Sequence, residues 1–170
     1  MNNFCTEGSI INPKCYKLET SDFQSEEQIF DILLDVLKSE LPERLSALKD
    51  CAGKAMYIAE DNIDIIPSDN VPHFEVTLNP LSDLPKYTDL RNYRTVEYNF
   101  ELILTVHNED PKCLTWELLR FKNSVEGLIV ATELFIDGYD TVDVEPKGFN
   151  YYVPENVGGA VYMRQGSYRF

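Results

Sequence analysis

Between Val96 and Val106 the chain reads V-E-Y-N-F-E-L-I-L-T-V, and no other stretch constrains the fold as strongly. Val96, Tyr98, Phe100, Leu102, Leu104 and Val106 fall on one side of an extended chain; Glu97, Asn99, Glu101, Ile103 and Thr105 fall on the other. Period-two alternation over this length predicts one long strand with a single buried face. At about 3.3 Å per residue it would run roughly 36 Å. A parallel strand covered on both sides would not carry Glu97, Asn99 and Glu101, so the pattern predicts an antiparallel sheet with its layers on one side.

The rest of the chain supplies those layers. Ser25-Glu26-Glu27-Gln28 has the form of a capping box, and apolar residues then recur at Ile29, Ile32, Leu33, Val36, Leu37, Leu41, Leu45 and Leu48. Pro42 falls within this stripe and predicts a kink, or a break with a second helical segment beginning there. Gly53 is the expected end of the helical region. A second helix is expected from Asp110-Pro111, a cap followed by proline at the first helical position, to Asp137-Gly138. Its stripe is Leu114, Leu118, Phe121, Val125 and Leu128. Phe74, Val76 and Leu78 alternate as a first core strand. Closing strands are expected at Val142 and Val144, Tyr151 to Val153 and Val161 to Phe170, with a bulge at Gly166. Residues 1–20 read as an irregular N-terminal arm and 21–170 as a single domain. Its fold class is α+β: a mainly antiparallel sheet with two amphipathic helices packed on one face.

The formal net charge is −14, and most of it lies between residues 21 and 110, where 19 acids face 7 lysines and arginines. Such a surface repels phosphate backbones and anionic membranes, which disfavours tight non-specific nucleic-acid binding but suits a wall past which DNA slides. Cys5, Cys15, Cys51 and Cys113 have neither C-x-x-C nor zinc-finger spacing. No secretory leader or membrane-length apolar run is apparent, so reduced thiols in a cytoplasm are the expectation. Cys113 is expected to be a small core residue.

Motifs for chemistry are missing. The two histidines, His73 and His107, lack the spacing of a zinc-binding helix and read as strand-surface residues. Asp137, Asp140, Asp143 and Glu145 do not follow the alternation of a calcium-binding loop, and a solvated hairpin is the expectation there. There is no nucleophile elbow and no glycine-rich phosphate cradle. No catalytic, cofactor-binding or metal-binding residue is assigned, and an enzyme is disfavoured.

Asn79 to Thr95 reads as a long connection, of the kind that is often functional. It carries Tyr87, Arg91, Tyr93 and Arg94, residue types favoured at protein interfaces. These four are the candidate contacts to a neighbouring subunit or another partner.

In element order and hydrophobic pattern the chain resembles the tail terminator proteins of long-tailed phages and phage-tail-like particles. The resemblance runs from the first helix, ending L-P-E-R-L at Leu41 to Leu45, through V-P-H-F-E-V-T-L at Val71 to Leu78. It continues in the strand from Arg94 to Val106, the helix W-E-L-L-R-F-K-N-S-V-E-G-L-I from Trp116 to Ile129, and the closing strands. It implies a non-enzymatic virion protein assembled in the host bacterial cytoplasm. That protein would form a homo-oligomeric ring, usually a hexamer, that caps the tail tube and connects to the neck or head. DNA would only pass through its channel, and no cofactor or membrane is involved. Head–tail joining proteins of the same particles look similar at this level. A small-molecule-binding or enzymatic α+β domain is the reading from a different class, and would require a concave apolar pocket with convergent polar groups.

Overall fold

The computed structural model describes residues 21–81, 86–90, 93–131 and 144–170. The first helix, α1, spans Ser21–Ser46, so Ser25 lies inside it and is not its cap. Ile29, Leu33, Leu37, Leu41 and Leu45 follow one another at steps of four and are all buried. This single row explains why Pro42 neither breaks the helix nor starts another. The proline removes one backbone donor near the C-terminal end, while Leu41 and Leu45 on either side are both held in the core. The helix stops at Ser46, short of Gly53. Gly53 instead serves a tight turn, with φ of 79°, in which Asp50 N–H donates to Lys54 O at 2.8 Å.

The main sheet has the order β1-β2-β5-β8-β6, from Ile63–Asp64, Phe74–Pro80, Phe100–Asn108, Val161–Arg169 and Gly148–Tyr151. Glu155–Gly158 (β7) also pairs with β8, alongside β6. Every pairing in this sheet is antiparallel except β1 with β2. The fold is therefore α+β, with a mostly antiparallel sheet and two helices. Phe74, Val76 and Leu78 of β2 lie opposite Val106, Leu104 and Leu102 of β5, and Leu102 lies opposite Tyr168 of β8. These side chains form one core with the buried row of α1 and with Leu114, Leu118, Phe121, Val125 and Ile129 of α2.

The second helix, α2, begins at Pro111 as expected, with Asp110 Oδ1 accepting from Lys112 N–H at 2.9 Å. It is described to Ala131; the expected end at Asp137-Gly138 and the strand residue Val142 lie outside the described residues, as does the arm at 1–20. Val144 is described but belongs to no strand, and the strand expected at Tyr151 to Val153 is β6, displaced toward Gly148.

Two further expectations need correction. The strand predicted from Val96 to Val106 is interrupted at Tyr98-Asn99: Glu97 ends one strand and Phe100 begins β5. A two-residue interruption preserves parity, so the alternation runs through the break without registering it. Gly166 makes no bulge, since it pairs in regular register with both Leu104 and Tyr151. Its role is clearance: a Cβ at this position would lie 2.1 Å from Phe149 Cζ. Gly166→Ala must push the Phe149 ring off the sheet, with an expected cost of about 1–3 kcal/mol in urea unfolding. The same substitution made beside Phe149→Ala should cost clearly less, because the clashing ring is gone.

Candidate functional site: an inserted hairpin and a buried carboxylate

The candidate contact residues lie on an element the sequence analysis read as a loop. Asn79 and Pro80 complete β2, and Lys86–Leu90 (β3) pairs antiparallel with Tyr93–Glu97 (β4) as a separate two-stranded sheet. Tyr87 stands opposite Val96, Asp89 opposite Arg94 and Leu90 opposite Tyr93. Arg91 lies outside the described residues, between the two strands. Tyr87, Tyr93 and Arg94 are thus brought onto one hairpin inserted between the central strands β2 and β5. The signal for it was present in Tyr87-Thr88 and Tyr93 to Val96, short runs of strand-forming residues either side of Asn92.

The base of this hairpin is tied to the main sheet. Lys147 Nζ, just ahead of β6, reaches both the Glu97 carboxylate and Asn99 Oδ1, and its backbone N–H donates to Arg169 O at 2.7 Å. The Lys147 hydrogen bond and charge, with a smaller contribution from Lys86, hold the Glu97 carboxyl below its ordinary pKa. The Lys86–Glu97 pair, at 4.0 Å and well exposed, adds little to stability. A two-stranded hairpin is marginal on its own.

The second feature escaped the sequence analysis. Glu117 of α2 is fully buried. One carboxylate oxygen accepts from Cys51 N–H at 3.1 Å; the other takes Asn108 Nδ2 and His73 Nε2, each at 2.9 Å. One side chain therefore joins α2 to the 50–54 turn, the start of β2 and the end of β5. Burial alone would raise its pKa. The hydrogen bonds from His73, Asn108 and Cys51, with the charge of His73, outweigh that and leave it lowered. Within W-E-L-L-R a glutamate looks solvated, yet position 117 falls three after Leu114 and four before Phe121, on the buried stripe.

His73 is accordingly more than a strand-surface histidine: it stacks on Phe74 with ring centroids 4.2 Å apart while it pairs with Glu117. His107 Nδ1–H donates to Pro72 O at 2.7 Å. Cys113 is only partly buried, in contrast to the core position expected. Its thiol is pushed up to about 12 by a hydrogen bond with the Cys51 thiol, then by burial and by the negative charges of its neighbours. Asp137, Asp140 and Asp143 lie outside the described residues, and Glu145 is exposed. Among the described residues no group of three or more His, Cys, Asp or Glu is placed to hold a metal ion, and no helix is long and apolar enough to cross a membrane. In comparisons with known proteins, no family model and no curated protein matches the chain.

The lowered pKa of Glu117 has a defined pH consequence. A carboxyl whose folded pKa lies below its unfolded value adds stability that is present above the unfolded pKa and is lost as pH falls through the folded one. Glu117→Gln should cost about 2–3 kcal/mol at neutral pH, because in either orientation the amide nitrogen replaces an acceptor that at least one donor already faces. The gap between wild type and variant, measured by urea unfolding, should narrow as pH is lowered from about 5 toward 3.

Proposed function

We propose that this protein is a structural virion subunit, a tail terminator. It forms a homo-oligomeric ring, hexameric by resemblance to that family, which caps the tail tube and joins it to the neck or head while leaving a channel for DNA. The observation that carries this reading is the inserted hairpin within the α+β frame. A two-stranded sheet inserted in the chain between the two central strands, carrying Tyr87, Tyr93 and Arg94, is suited to reach a neighbouring subunit or the tube. The element order on either side of it, a helix and β2 before, β5, a helix and closing strands after, agrees with the resemblance drawn from the sequence. The acidic charge supports a channel wall that DNA passes without adhering. The protein would act in the virion tail, after assembly in the bacterial cytoplasm, with the tube and neck proteins as its partners.

Electron microscopy of particles assembled without the protein tests this directly. Polytails of uncontrolled length are expected; tails of normal length overturn the reading, and if they are finished but unattached to filled heads they favour a head–tail joining role instead. Replacing Tyr87, Arg91, Tyr93 and Arg94 together by Ser tests the hairpin. The variant should keep the wild-type melting temperature and fail to assemble onto tails. Assembly at wild-type concentrations would show that the hairpin is not the contact.

A further inference from the structure

Two cysteines far apart in the sequence meet where the turn at 49–55 lies against α2. Cys113, Glu117 and Arg120 follow one another on that helix at steps of four and three, so they share one stripe. Two of them grip the turn by its backbone. Glu117 Oε1 accepts from Cys51 N–H at 3.1 Å, and Arg120 Nη1–H donates to Lys49 O. The turn is itself closed: Lys54 N–H donates to Asp50 Oδ1 at 2.7 Å, and Lys49 pairs antiparallel with Ala55. Cys51 is thereby held over the first turns of α2, and its thiol is the hydrogen-bond partner of the Cys113 thiol, one helical turn before Glu117. Both thiols are free; Cys51 is exposed and Cys113 half-buried.

We propose that Cys51 and Cys113 are a reversible redox couple: a low-molecular-weight disulfide of the glutathione class oxidises them to one bond that pins the 49–55 turn to the start of α2. The exposed Cys51 reacts first. Its thiolate attacks one sulfur of the small disulfide, forming a mixed disulfide and releasing one thiolate. Cys113 then attacks the Cys51 sulfur and expels the second. Both cysteines are oxidised, the small disulfide is reduced to two thiols, and those thiols carry the two protons that the cysteines lose.

The site enforces this order. The Cys113 proton is held on first by the hydrogen bond with Cys51, then by burial and by the negative charges of Cys51, Asp110 and Glu117. The contributions of Cys51 vanish once its sulfur is in the mixed disulfide, so the second thiol is released to react only after the first has done so. In a reducing compartment the couple stays open, and in an oxidising one it closes. Closure also fixes Cys51 N–H, one of the three donors on which the buried Glu117 carboxylate depends.

The test uses the full chain with Cys5→Ser and Cys15→Ser, which leaves only this pair, incubated with an excess of oxidised over reduced glutathione. Peptide mapping without reduction should recover Cys51 linked to Cys113 within one chain. The bond closes a loop of roughly 60 residues, so the melting temperature should rise by roughly 5–10 °C and fall back with dithiothreitol. Adding Cys113→Ser should stop the reaction at a glutathione adduct on Cys51, with no such rise. Adding Cys51→Ser, which keeps the backbone N–H that Glu117 accepts, should leave Cys113 as a thiol. A glutathione adduct that persists while both cysteines are present, a bond formed only between chains, or a bond that leaves the melting temperature unchanged overturns the couple. None of these readouts involves tails or rings, so the outcome is independent of the function proposed above.

Discussion

The apolar side of β5 is the reference surface for the whole domain. Leu102, Leu104 and Val106 are paired by register with β2 on one side, and β8 pairs with β5 on the other. Both helices find their core partners over the same face. Since strand side chains alternate with period two, shifting β5 by one residue would turn Glu101, Ile103 and Thr105 into the core and expose every leucine. One strand's register thus fixes the sheet, and the sheet fixes where the helices can lie.

The opposite face is held by polar contacts that leave little room for rearrangement. Glu101 accepts from Ser167 Oγ and from Arg169 Nε, and Gln165 Nε2 donates to Thr105 Oγ1 at 3.1 Å. Glu75, on the same side, accepts from Ser68 N–H. Glu117 does for the helix layer what these residues do for the sheet, since its three donors come from three separate segments. A buried carboxylate of this kind costs solvation, and it is retained only while every partner is in place. The frame is therefore defined by apolar register on one side and by satisfied polar groups on the other.

How much of this was legible depended on whether the deciding interaction was local. The helix stripes, Asp110-Pro111 and the alternation of β2 and β5 were readable because each is a periodic or capping pattern within one element. The hairpin at 86–97 was not, since the strands at issue are only five residues long. The two-residue break at Tyr98-Asn99 conserved parity and so left no trace in the alternation. Ile63–Asp64 is too short to show any period. Glu117 was hidden by chemistry: its side chain is buried because donors from distant segments meet it, and distance along the chain is what a local pattern cannot express. Three of the four proposed contact residues, Tyr87, Tyr93 and Arg94, sit on the hairpin at positions set by its register.

The order of strands in the sheet also governs when the domain can close. β2 and β5 are neighbours in space and near in sequence, but the strand on the other flank of β5 is β8, which begins at Val161. During synthesis the pair β2–β5 can form early, with one side of β5 left as an unpaired, strongly apolar edge until β8 is released from the ribosome. Contacts spanning so much chain form slowly, and an open edge in the interval invites pairing with another nascent chain. Premature pairing at β5 would yield aggregates rather than folded chains. Production at low temperature or with chaperones that shield strand edges should thus matter more for yield than any gain in the stability of the completed sheet.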